Sequence, residues 1–181
     1  KPFFYTKNLD INHENKILGN SDYVKFYISS QNFFTNKKPK IKDTIFQNTE
    51  FNITSSDLTF FLKTLNNSET KNKVIFKKVK VFFKDKNDQL LFLSKVKKSN
   101  FFYDEKKQLQ KLSSQLEIFN VPFNLIVTKN NSNKRKDIKL NSKRIRLNIE
   151  TSIEHDDGGI MGIFDLKFIN KENLFSYVVK Q

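Results

Sequence analysis

The chain has no cysteine and no alanine, and its 181 residues include only 4 glycines and 3 prolines. Without cysteine there is no disulfide, no thiolate metal site and no cysteine nucleophile. The only histidines are His13 and His155, at no spacing that resembles a metal-binding helix. Glycine-rich phosphate loops are missing too, since the clustered glycines are Gly158, Gly159 and Gly162, in and just after a predicted turn. No run approaches the roughly 18 apolar residues of a membrane-spanning helix. The sole methionine is Met161, so Lys1 is not a translation start, and a segment removed ahead of it is expected.

Lysine, asparagine and phenylalanine fill the space. Lysine and arginine total 33 against 19 acidic residues, a net charge of +14 with a pI near 9.8. That balance suggests an anionic partner. Arginine, the side chain favoured for bidentate phosphate and base recognition, occurs only at Arg135, Arg144 and Arg146. The charge therefore reflects an AT-rich coding bias as much as a binding surface. Hydrophobic content is 37%, and 20 phenylalanines supply much of the core-forming area.

Length favours one domain. Residues 1–22 are polar enough to suggest a tether or irregular lead-in, with a single β-rich domain over residues 23–181. A first strand is predicted at Tyr23 to Ser29. A further strand running to Ile53 is followed by a short helix capped by Ser55 or Ser56, with Leu58, Phe61, Leu62 and Leu65 on one side. A second helix is predicted over residues 104–120, because Leu109, Leu112, Leu116 and Phe119 recur at helical spacing before Pro122.

Two hairpins carry a testable register. In VIFKKVKVFFKDKNDQLLFLSKVKK a loop over residues 85–88 would oppose Phe83 to Leu90, Val81 to Phe92, Val79 to Ser94 and Lys77 to Val96, placing both apolar sets on one face. Phe76, Phe82, Leu91 and Leu93 would then share the other face with Lys78 and Lys95, forming a candidate interface that needs a cover. In RIRLNIETSIEHDDGGIMGIFDLKFI a turn at Asp157 and Gly158 opposes Ile153 to Gly162, Thr151 to Phe164, Ile149 to Leu166 and Leu147 to Phe168. A third hairpin flanks the basic loop NNSNKRK. These elements predict a mainly β protein, an antiparallel β-sandwich or rolled sheet with a long protruding hairpin and one or two short helices.

No constellation of nucleophile, base and orienting group is present, so a non-enzymatic protein without cofactors is expected. Glu154, His155, Asp156 and Asp157 gather metal-compatible oxygens and an imidazole, but Asp and Gly are what the turn itself demands. Phe33 and Phe34 near Lys37, and Phe101, Phe102 and Tyr103 near Lys106, mix aromatic and basic residues as single-strand binders do; such pairs also arise by chance in so phenylalanine-rich a chain. The arginines cluster with lysines at Lys134, Arg135, Lys136, Lys139, Lys143, Arg144 and Arg146, a candidate polyanion patch that the lysine-rich background does not explain.

In composition and layout, a cysteine-free domain rich in lysine, asparagine and phenylalanine behind a lead-in such as TKNLDINHENK resembles the outer-surface lipoproteins of Borrelia spirochaetes. That resemblance implies an acylated cysteine just before Lys1, lipid anchoring in the bacterial outer membrane, and interaction with host or vector molecules, either a host protein or a sulfated polysaccharide. The competing class is a cytoplasmic or organellar nucleic-acid-binding or ribosomal protein from an AT-rich genome.

Overall fold

The computed structural model describes residues 2–13, 16–29, 40–58, 61, 72–156 and 159–180. The protein is mainly β. Its strands are β1 (Phe3–His13), β2 (Lys16–Ile28), β3 (Ile41–Ile53), β4 (Lys73–Lys84), β5 (Leu90–Asp104), β6 (Leu109–Ile118), β7 (Val121–Asn130), β8 (Arg135–Ser142), β9 (Leu147–Asp156), β10 (Gly159–Phe168) and β11 (Lys171–Lys180). All 11 lie in one sheet in sequence order, every neighbour antiparallel except β3 and β4. Among the described residues the strands therefore form a single open sheet, in place of the two packed layers expected of a sandwich. Each strand lies beside its predecessor, so among the described residues the meander extends sideways and does not fold back on itself. The β4–β5 hairpin sits inside this sheet, flanked by β3 and β6.

Direct opposition carries a largely apolar row across the whole width. One row runs Thr6, Val24, Phe46, Phe76, Ser99, Ser114, Leu125, Leu140, Ile149, Leu166 and Asn173. Opposed residues share a face, and this face is mostly apolar. Its best-buried part is the cluster of Phe51, Ile53 and Val79, joined by Phe76, Val81, Phe83 and Val96. Phe46 stacks on Phe76 with ring centroids 4.8 Å apart.

Phe76 and Val79 occupy one face although their numbers differ in parity. Between them Lys78 is left-handed, with φ of 53°, and advances the alternation by one residue. Asn48 in β3 and Asn8 in β1, each with φ of 52°, stand at the same level of the sheet. This corrects the grouping of Phe76, Phe82, Leu91 and Leu93. Phe76 joins the core, Phe82 opposes Leu93 on the other face, and Leu91 is exposed near the irregular end of the hairpin. Left-handed backbone costs an L-residue about 1–2 kcal/mol. Lys78→Gly is therefore expected to raise stability by up to about 1 kcal/mol, and Lys78→Val to lower it by about 1–2 kcal/mol, read from urea midpoints.

The register of the β9–β10 hairpin matches the sequence expectation at all four pairs, whereas its turn at Asp157 and Gly158 lies outside the described residues. The β4–β5 register differs by two residues: Phe83 opposes Phe92, Val81 opposes Ser94 and Val79 opposes Val96. Asp85 explains the shift. Its carboxylate accepts backbone N–H bonds from Asn87 and Gln89 at 2.8 and 2.9 Å, holding a longer loop than residues 85–88. A two-residue shift preserves the faces.

Two segments change class. Residues expected to form a helix at 104–120 form a turn and β6, where Leu112, Ser114, Leu116 and Ile118 alternate inward between β5 and β7. Leucines four apart satisfy both periods, and neighbours on both sides decide for the strand. The opening stretch expected to be a tether supplies β1 and the start of β2, paired from Phe3 to His13.

The parallel step from β3 to β4 needs a crossover. Its described part begins with a helical turn at residues 55–58 and includes Phe61, whose ring meets Phe51 edge-on at 5.7 Å. Leu62 and Leu65 lie outside the described residues. Thr54, not Ser55 or Ser56, caps the turn: its N–H and hydroxyl both donate to the Asp57 carboxylate at 2.8 Å. Lys16 donates to the same oxygen at 2.6 Å. Burial pushes the Asp57 carboxyl up, but the Lys16 ammonium and the two Thr54 donors together outweigh it and hold it below its ordinary value of 3.8. A depressed carboxyl stabilises the fold above its unfolded value, and that contribution disappears as pH falls through the folded value. Asp57→Asn is expected to cost about 1–2 kcal/mol at neutral pH, allowing for screening at the half-exposed Lys16, with the difference from wild type closing in acid below the ordinary carboxylate range. Denaturant titrations across pH read both arms.

Candidate functional site

One residue along from the apolar row, the opposite face carries Lys7, Tyr23, Gln47, Lys77, Lys98, Gln115, Asn124, Asn141, Asn148, Lys167 and Glu172 in direct succession. Amides and ammoniums thus line up on nine of the 11 strands, with Tyr23 on β2 and Glu172 on β11 the exceptions. With strands about 4.8 Å apart, the row extends for roughly 48 Å.

Two depressions adjoin along its centre. The larger, about 550 Å³, is bordered by Lys78, Lys80, Lys95, Lys97, Gln115 and Asn124. The second, about 350 Å³, is bordered by Lys98, Asn100, Ser113, Gln115, Asn124 and Asn141. Gln115 and Asn124 are common to both, so they form one groove from β4 to β8. Asn124 donates to the Asn141 side-chain oxygen at 3.3 Å, and the side-chain oxygen of Asn100 is buried without a hydrogen-bond partner. Val79, Val96, Leu116, Pro122 and Phe123 also line the larger depression, so the neutral donors and acceptors come chiefly from the second.

The lysines at its β4–β5 end divide into two sets. Lys80 and Lys95, directly opposed, each have an acidic partner: Lys80 contacts Glu50 at 2.8 Å and Lys95 contacts Glu117 at 3.0 Å. Hydrogen bonding to Glu50, helped by its charge, raises the Lys80 pKa above the ordinary value. Lys77 and Lys98 oppose one another, exposed, and among the described residues neither they nor Lys78 and Lys97 have an acidic partner. Opposed like charges destabilise a sheet unless an anion or water screens them. Here three uncompensated ammoniums, Lys78, Lys97 and Lys98, border the groove, and a fourth, Lys77, stands directly opposite Lys98. A β-bulge contributes to this density: β5 has one more residue than β6 between Val96 and Lys98, and Lys97 is the extra one.

The arginine-containing patch is dispersed. Lys134, Arg135 and Lys136 lie at one end of β8, and Lys143, Arg144 and Arg146 lie past the other, roughly 25 Å away by strand rise. Arg135 contacts Asp137 at 2.9 Å and Glu154 at 3.5 Å and donates to Ser152 at 3.2 Å. The Asp137 carboxylate foremost, with Glu154 adding to it, raises the Arg135 pKa. Lys139 pairs with Glu150 at 2.7 Å, and that bond chiefly holds the Glu150 carboxyl down. Arg144 donates to the backbone carbonyl of Asn120 at 2.6 Å. Lys136 falls on the apolar face, opposite Ile153. Arg135 and Lys139 are thus already answered by acids within the sheet, whereas Lys77, Lys78, Lys97 and Lys98 stand together on β4 and β5 without one among the described residues. Their pairing is the signal that sequence reading passed over, because a two-residue register shift puts Lys98, not Val96, opposite Lys77.

Among the described residues no group of three or more histidines, aspartates or glutamates is placed to hold a metal ion, and no helix is long and apolar enough to cross a membrane. Glu154 contacts Arg135, while Asp157 lies outside the described residues. No protein-family model matches the chain, and no curated protein matches it.

Proposed function

We propose that this is a non-enzymatic binding protein whose polar sheet face takes an anionic polysaccharide, with sulfate groups at Lys77, Lys78, Lys97 and Lys98 and sugar hydroxyls on the amide row. The observation that carries this reading is the opposed pair Lys77 and Lys98 with Lys78 and Lys97 beside it, four ammoniums without acidic partners among the described residues, of which Lys78, Lys97 and Lys98 border the groove. Lysines supply charge without base geometry, and amides supply the mixed donors and acceptors that sugar hydroxyls require. Single-stranded nucleic acid is the competing polyanion. It calls for successive aromatic platforms. The row has one aromatic, Tyr23, already stacked on Tyr5 at 5.0 Å.

In this reading the protein is displayed at a bacterial outer surface through an N-terminal lipid anchor and meets host or vector polysaccharide there, as its resemblance to spirochaete surface lipoproteins suggests. The apolar face would be covered by a partner, which would complete a two-layer sandwich. The test compares heparin, chemically desulfated heparin, neutral dextran and a single-stranded oligonucleotide across a salt series. Salt-sensitive binding to heparin that desulfation abolishes is expected. Equal binding to the oligonucleotide would sink the polysaccharide reading.

A further inference from the structure

Beyond this reading, the two edges of the sheet are built differently. β1 carries Lys7 and Asp10, the left-handed Asn8 and a register irregularity between Ile11 and Asn12, all of which discourage a further strand. β11 has no such guard between Asn173 and Val179. Leu174, Phe175, Tyr177, Val178 and Val179 are 69, 54, 38, 62 and 52% exposed. Both faces of this strand are apolar: Phe175 and Tyr177 lie on the apolar face, opposite Phe164 and Gly162, while Leu174 and Val178 lie on the otherwise polar one. Nothing among the described residues pairs with its outer side.

We infer that two copies of the chain join through β11, antiparallel, about a two-fold axis at Ser176. An axis normal to the sheet keeps each residue on its own face, so it permits only registers centred on a residue. Centring on Ser176 opposes Phe175 to Tyr177, Leu174 to Val178, Asn173 to Val179 and Glu172 to Lys180. Aromatic meets aromatic at Phe175 and Tyr177 and aliphatic meets aliphatic at Leu174 and Val178, with Asn173 against Val179 the one mismatched pair between them and the strand ends. Centring on Phe175 would set Glu172 against Val178 and Asn173 against Tyr177. Centring on Tyr177 would set Ser176 against Val178 and Phe175 against Val179. The strand is self-complementary in one of the three registers. Pairing β11 to the guarded β1 would instead be head to tail and would not close.

Because the chain has no cysteine, single cysteines report the register cleanly. Sedimentation velocity over a broad concentration range is expected to show a monomer–dimer equilibrium that persists at high salt. On mild oxidation Ser176→Cys should form a covalent dimer, since opposed positions lie near disulfide range. Asn173→Cys and Val179→Cys should each form no covalent dimer alone and cross-link when mixed. A monomer at every concentration would overturn the inference, as would efficient cross-linking of Asn173→Cys with itself. Because the groove lysines lie on β4 and β5, their substitution should leave dimerisation unchanged, which separates this inference from the proposed ligand.

Discussion

Replacing Lys77, Lys78, Lys97 and Lys98 together by glutamine is expected to weaken heparin binding by about 1–4 kcal/mol in sum, roughly five- to several-hundred-fold. The range follows from four exposed ammoniums, each contributing the modest energy of a solvent-screened ion pair. The slope of log affinity against log salt should become shallower as fewer counterions are released. Neutralising Arg135 and Lys139 should do much less, because Asp137, Glu154 and Glu150 already engage them. Stability should move the other way. Removing the Lys77–Lys98 opposition relieves repulsion, so the quadruple variant is expected to unfold at the same or a slightly higher denaturant concentration in low salt. Weaker binding without loss of stability would assign the charge to function. Unchanged binding would leave the lysines as coding bias and refute the proposed groove.

Phe51→Ala should produce the largest loss of stability, about 3–5 kcal/mol. Phe51 is 7% exposed, meets Phe61 edge-on at 5.7 Å and Phe76 at 6.0 Å, and belongs to the cluster with Ile53 and Val79. Truncation removes a large buried ring and leaves a cavity between the sheet and the crossover. Phe119→Ala is the natural control. At 75% exposure, Phe119 has little burial to lose, and its change should stay within about 0.5 kcal/mol. Equilibrium urea unfolding followed by circular dichroism distinguishes the two. Equal effects would mean that the cluster does not anchor the sheet.

The β class was legible because period-two alternation with turn residues is a local signal. It gave the β9–β10 register correctly at Ile153–Gly162 and its three companion pairs, since strong apolar patterning on both strands admits few alternatives. The signal failed where two periods coincide, as at Leu112 and Leu116, and where a polar segment such as residues 3–13 is recruited by a neighbour's open edge. It also failed at Lys78, whose left-handed backbone no alternation rule anticipates. The candidate site suffered most. A one-residue bulge at Lys97 and a loop held open by Asp85 decide which lysines meet, and neither has a sequence signature strong enough to read.

The sequence by itself determined that the chain builds strands with one apolar and one polar side, that it carries +14 of lysine-dominated charge, and that it has no cysteine chemistry. These follow from composition and nearest-neighbour alternation, which each segment carries within itself. Only the tertiary structure decided that the strands form one open sheet, that Phe76 is turned into the core, and that Lys77 faces Lys98 while Arg135 faces acids. The reason is physical: register is settled by the whole set of opposed pairs at once, and one extra residue in a single strand changes every partner beyond it.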